Sequence, residues 1–186
     1  PAGAEVGARL QAGCCIMTGM KAKTLAKVHH TGLIHWRHML EWLHSDGIIS
    51  LEEMQRTTAR CSQAESAQHP LVRLASVSMH RADDGSVLDV EALTQWLAGH
   101  AGLAYFRIDP LKVDVGKVAD IMSPSYAERH NILPVQVTAS EVVVATAEPF
   151  VTGWVAEVER QSRRSARRQV TMPQEIRRIA GEFYAL

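Results

Sequence analysis

The chain has no excess of charge of either sign. Its 20 lysines and arginines equal its 20 aspartates and glutamates, so no whole-chain field draws it to nucleic acid, anionic lipid or an acidic partner. Cysteine is scarce: an adjacent pair, Cys14 and Cys15, and a distant Cys61 make neither a disulfide framework nor a zinc spacing. Reduced thiols in a cytoplasmic protein are the expectation. No stretch reaches the ~18 to 20 consecutive apolar residues of a membrane span, and Pro1–Met20 lacks the charged start and apolar run of a leader. Direct membrane insertion is therefore not expected.

Catalytic machinery is missing as well. A phosphate-binding loop sets glycines, a lysine and a hydroxyl in the order G-x-x-x-x-G-K-[ST]. The nearest stretch, Gly13 to Thr24, has Met20 between Gly19 and Lys21 and no strand before it. Nine histidines invite a metal, with His35 and His38 one helical turn apart and His44 nearby. A zinc site wants three or four converging ligands, and no cysteine or carboxylate pair accompanies these. The reading is histidines on a helix surface, no metal, no catalytic residue and no cofactor.

What is present is a foldable chain, 46% of it apolar over 186 residues. Residues 1–27 show no sustained period and read as a flexible arm. Trp36, Met39, Leu40 and Leu43 follow the i, i+3, i+4, i+7 rule, and Gly47 stops that helix. Ser50 and Glu53 have capping-box spacing for a second helix to about Cys61, and Pro70 starts a third. These predict a helical subdomain over 28–80, then a linker over 81–87 containing Asp84-Gly85.

The remainder, 88–186, reads as an α+β domain. Asp89 caps a helix with Val90, Leu93, Trp96 and Leu97 on its buried stripe, and a strand follows at Leu103–Ile108. Ser123-Pro124 opens a short helix. Ile132–Thr138 and Glu141–Thr146 are valine-rich and nearly contiguous, which predicts an antiparallel hairpin. Val151, Trp154, Val155 and Val158 return to helical spacing, Gln169–Thr171 reads as a short edge strand, and Pro173 begins a last helix burying Ile176, Ile179 and Phe183. The expected fold class is α+β: a helical subdomain followed by a small α/β sandwich.

Two surface candidates stand out. Arg163, Arg164, Arg167 and Arg168, followed by Arg177 and Arg178, form a basic concentration suited to an acidic partner or to a plain solvated face. Trp36, Trp96 and Trp154 fall on core stripes, whereas Trp42 lies off its stripe and reads as an exposed anchor beside Asp46 and Glu53.

Longer stretches carry a resemblance. Gly102-Leu103-Ala104-Tyr105, Ile108 to Asp114, Tyr126 to Val135 and Val142 to Pro149, in order, resemble the second amino-terminal domain of type II secretion and type IV pilus assembly ATPases, the general secretory pathway protein E family. Leu40 to Ser50 resembles the helical hairpin of that family's first domain, which binds cyclic di-GMP in some relatives. The Arg-Leu-Gly of that subgroup is replaced here by His38-Met39-Leu40, and no second copy is seen, which leaves Arg37 and His38 as the nucleotide candidates. The resemblance implies a module that docks the ATPase to the cytoplasmic domain of an inner-membrane platform protein. It also implies a separate motor domain, absent up to Leu186, that holds ATP and magnesium, with the whole peripheral to the membrane through its partners.

Overall fold

Each early helix begins at a side-chain acceptor and follows an apolar run of helical spacing. The computed structural model describes residues 30–185, so the arm expected over 1–27 lies outside the described residues. His35 caps α1 (Trp36–Ser45), which buries Trp36, Met39, Leu40 and Leu43 as the spacing predicts. Gly47, at φ +74°, supplies the left-handed turn that follows. Ser50 Oγ then accepts from the Glu53 amide at 3.1 Å to open α2 (Leu51–Ser62). The reciprocal half of the expected capping box is not made. The Glu53 carboxylate instead accepts from Arg56 one turn on, where an i,i+3 ion pair is within easy reach.

α3 (Pro70–Ser76) starts on Pro70, whose missing amide costs nothing in a first turn. Residues 81–87 close into a tight loop: His80 bridges Val87, the Arg81 amide donates to Ser86 O at 2.8 Å, and the Ala82 amide donates to Ile48 O at 2.8 Å. α4 (Val90–Ala101), capped by Asp89, adds Leu93 and Leu97 to the core built by Met39, Leu40, Leu43, Leu71 and Leu74. Residues 88–101 thus share a core with the helices before them.

The sheet comes from a different period. β1 (Ile132–Val137) and β2 (Glu141–Thr146) pair antiparallel as the expected hairpin, with a bulge between Pro134 and Gln136. Pro134 is tolerated because β1 is an edge strand. After α5 (Val115–Ile121) and α6 (Pro124–His130) lead into the hairpin, α7 (Val155–Ser162) crosses over to β3 (Ser165–Val170), which lies parallel to β2. This strand is longer than the expected Gln169–Thr171. The expected strand at Leu103–Ile108 contributes a parallel bridge, Tyr105 to Val170. α8 (Pro173–Tyr184) closes the chain.

Alternation along β2 sends Val143 and Ala145 to one face and Val142 and Val144 to the other. The first face is covered by Ile176, Ile179 and Phe183 of α8 and Val118 of α5. The second is covered by Ala127 of α6 and by Trp154 and Val158 at α7. The result is the expected α+β class, helices first and a small mixed sheet after.

Candidate functional site

The α1 N-terminus is an arginine-rich corner. His35 Nδ1 accepts from the Arg37 amide at 3.2 Å, which turns Trp36 inward and Arg37 outward. The Arg37 guanidinium lies 4.4 Å from the centre of the Trp36 ring, and that of Arg73, from α3, lies 5.2 Å from it. A groove of about 500 Å³ opens beside them, lined in part by His35, Ser62, Ser66 and Gln68. Both guanidinium groups already donate within the fold: Arg37 to Ser62 Oγ at 3.1 Å, and Arg73 to Cys61 O and Ala64 O, carbonyls at the end of α2. Burial, then the charges of His38, Arg37 and Arg73, hold the His35 imidazole below its usual 6.5. Burial pushes the Cys61 thiol up, so no thiolate nucleophile stands here.

The second candidate residue for nucleotide, His38, does not face that groove. It packs 6.0 Å from the ring of Trp42 and 5.2 Å from that of His30. Trp42, expected as an exposed anchor, is half-buried: His100 of α4 stacks on it at 4.9 Å and Phe150 meets it edge-on at 5.6 Å. A face off the helical stripe counted as solvent in the sequence, but α4 and the Phe150 turn fold over it. Asp46, expected at a partner contact, accepts from Trp96 Nε1 and pairs with His100 Nδ1, both at 2.9 Å.

The arginine concentration is largely spent on the fold. Arg164 donates to Thr138 O and Ser162 O, Arg167 pairs with Glu141 of the neighbouring strand at 3.1 Å, and Arg168 donates to Pro149 O. Arg163 is exposed, in a left-handed turn at φ +54°. Strand alternation separates Arg167 from Arg168, so the four do not form one patch.

A larger groove, about 810 Å³, lies between α6 and α8. Its walls are Pro124, Ala127, Glu128 and Asn131 on α6 and Arg177, Ala180, Gly181 and Tyr184 on α8. Each set has i, i+3, i+4, i+7 spacing; Ala127 of the first also packs into the core, and Asn131 caps the end of α6, whereas Arg177 and Gly181 of the second lie off the stripe α8 turns to the core. Sequence reading missed it, although the second stripe of α8 was there to be counted. It also missed Arg73 and the buried Glu148, whose signal was a carboxylate in the otherwise apolar run from Val142 to Pro149. Among the described residues no three histidine, cysteine or carboxylate groups are placed to hold a metal.

Residues 101–186 match the family model of the MshEN domain. The type IV pilus assembly ATPase TfpB of Acinetobacter baylyi is 33% identical over 149 residues, covering 78% of this chain and 25% of the relative. The chain therefore spans about a quarter of the length of that relative. A structure of MshE with cdg shares the fold, with a TM-score of 0.54 at 11% identity over 78% of this chain and 98% of that one. The N-terminal domain of XpsE gives a weaker likeness, with a TM-score of 0.44 at 14% identity over 81% of this chain and 96% of that one. The resemblance to the amino-terminal region of type II secretion and type IV pilus assembly ATPases, read from stretches that together cover about residues 88–186, is borne out.

Proposed function

We propose that this chain is the regulatory and docking part of a type II secretion or type IV pilus assembly ATPase. It binds the cytoplasmic domain of an inner-membrane platform protein, while a motor domain of the same ATPase, with its ATP and magnesium, performs hydrolysis. The chain itself carries no catalytic residue and works in the cytoplasm, held at the membrane through its partner rather than by insertion. The observation that carries this reading is the α6/α8 groove within the MshEN match. The small residues Ala180 and Gly181 on α8, opposite Glu128 and Asn131, leave room for a partner helix. Glu128 on one wall and Arg177 on the other give it opposite charges. Of the contacts suggested by sequence, only Arg163 is exposed without a bond into the fold described above, whereas Trp42, Asp46, Glu53, Arg164, Arg167 and Arg168 each hold an intramolecular partner.

Titration calorimetry against the platform protein's cytoplasmic domain tests this. Binding is expected, and Gly181→Trp should weaken it at least tenfold by filling the groove. A side chain at 181 starts with nothing within 4 Å of its Cβ, so the variant should fold. No binding by the intact chain would overturn the reading.

A second reading is cyclic di-GMP sensing, favoured by the two guanidinium groups on Trp36 beside the smaller groove. Guanidinium planes suit a stacked guanine, and MshE, whose fold this chain shares, was solved with cdg. Micromolar binding lost in Arg37→Ala would favour the sensor. Absence of heat with the dinucleotide would leave docking alone.

A further inference from the structure

Beyond either groove, the turn after β2 ties the helices to the sheet. Glu148, 9% exposed, accepts from the Ile34 amide through Oε2 at 3.0 Å. Its other oxygen lies 2.9 Å from His69 Nε2. His69 Nδ1 accepts from the Leu71 amide at 3.2 Å to cap α3, which leaves the imidazole proton on Nε2, beside Glu148 but off the line of a hydrogen bond. Two residues on, Phe150 O accepts from the Gly32 amide at 3.0 Å, and the Phe150 ring packs on the helical core. From the other side the turn is held by the sheet: the Glu148 amide donates to Thr146 Oγ1 at 3.0 Å and Arg168 donates to Pro149 O.

The chain itself passes from α4 to the sheet at Gly102, in the left-handed region at φ +71°. The other polar link near that passage is long and wet: Arg107, 65% exposed, stands 3.6 Å from Glu91 and 3.8 Å from Glu175.

We infer that residues 146–150 form a latch, closed through Glu148, and that Gly102 is the hinge opposite it. Glu148 holds Ile34 and the residue preceding Pro70, and both Ile34 and Pro70 line the groove beside Arg37 and Arg73. A load on that groove and a load on the sheet therefore meet at one carboxylate. In the sequence, 81–87 reads as the linker between the two parts. The hinge falls at Gly102 instead, because the 81–87 loop is tied back to Ile48 through the Ala82 amide and closed by Leu88 on Met79. The latch stands whether the docking reading holds or fails.

Hydrogen exchange on the whole chain with Glu148→Ala, which removes the acceptor of the Ile34 amide, tests it. The Gly32 and Ile34 amides should exchange at least tenfold faster, while those of Val143 and Ala145, inside the central strand, keep their wild-type rates. His69→Ala should shift the Ile34 amide in the same direction, and serves if Glu148→Ala does not fold. Unchanged Gly32 and Ile34 amides would overturn the latch. So would an equal acceleration of Val143 and Ala145, because Glu148 would then be a general stability residue and not a local closure.

Discussion

The helical and sheet halves of this chain bury similar residues in different ways. In the sheet half, strand alternation divides the apolar residues between two faces, each sealed by helices, and the arginine bonds run along the edge strand β3 rather than through those cores. In the helical half one core is shared by four helices, and polar studs bind them side by side: Asp46 joins α1 to α4, and Arg73 joins α3 to the end of α2. Short helices have few turns over which to interdigitate, so a bonded polar pair fixes their register where packing alone would not. The sheet half should therefore fail through lost volume, and the helical half through lost hydrogen bonds.

The largest expected break is Trp154→Ala. Trp154 is 1% exposed, and the cavity should cost about 3–5 kcal/mol, read as a lower urea midpoint. Its buried Nε1 has no partner, so Trp154→Phe should cost well under half as much. Equal losses would show that the indole N–H matters and would erase the contrast between the halves.

Asp46→Ala should come next. It removes the acceptor of Trp96 and His100, and for such unsatisfied groups about 1–3 kcal/mol is the usual loss, reduced here by partial exposure. Asp46→Asn keeps an acceptor and should retain most of that stability. An Asp46→Ala variant as stable as the parent would mean that apolar packing alone sets the helical register.

The smallest effect concerns pH. The His35 pKa in the fold lies below its usual 6.5, because burial and neighbouring positive charge favour the neutral ring. Its contribution is thus complete above the unfolded value and lost as pH falls through the lowered folded one. Protonation takes the Nδ1 acceptor from the Arg37 amide, so that amide should lose protection in acid, and His35→Ser should abolish the dependence. An Arg37 amide indifferent to pH would sink the assignment.

Much of the fold was legible because periodicity reports burial directly. The stripes of α1, α4 and α8, the proline at the start of α3, and the β1–β2 hairpin all follow from spacing. β3 was shortened in the reading because Ser165-Ala166-Arg167-Arg168 has little strand propensity. It is a strand because α7 delivers it parallel to β2. The candidate sites were less legible. Trp42 and Asp46 read as surface until α4, more than 40 residues later, folded over them. The arginines read as a patch until strand geometry sent successive ones to opposite faces.

Sequence by itself determined the fold class, the positions of the helix starts, the hairpin and the likeness to secretion and pilus ATPases, because caps, periods and motifs are local properties of the chain. Only the tertiary structure decided which polar groups are spent and which remain. A carboxylate such as Glu148 takes its role from Ile34 and His69, over 70 residues away in the chain, and polar contacts across that distance leave no periodic trace.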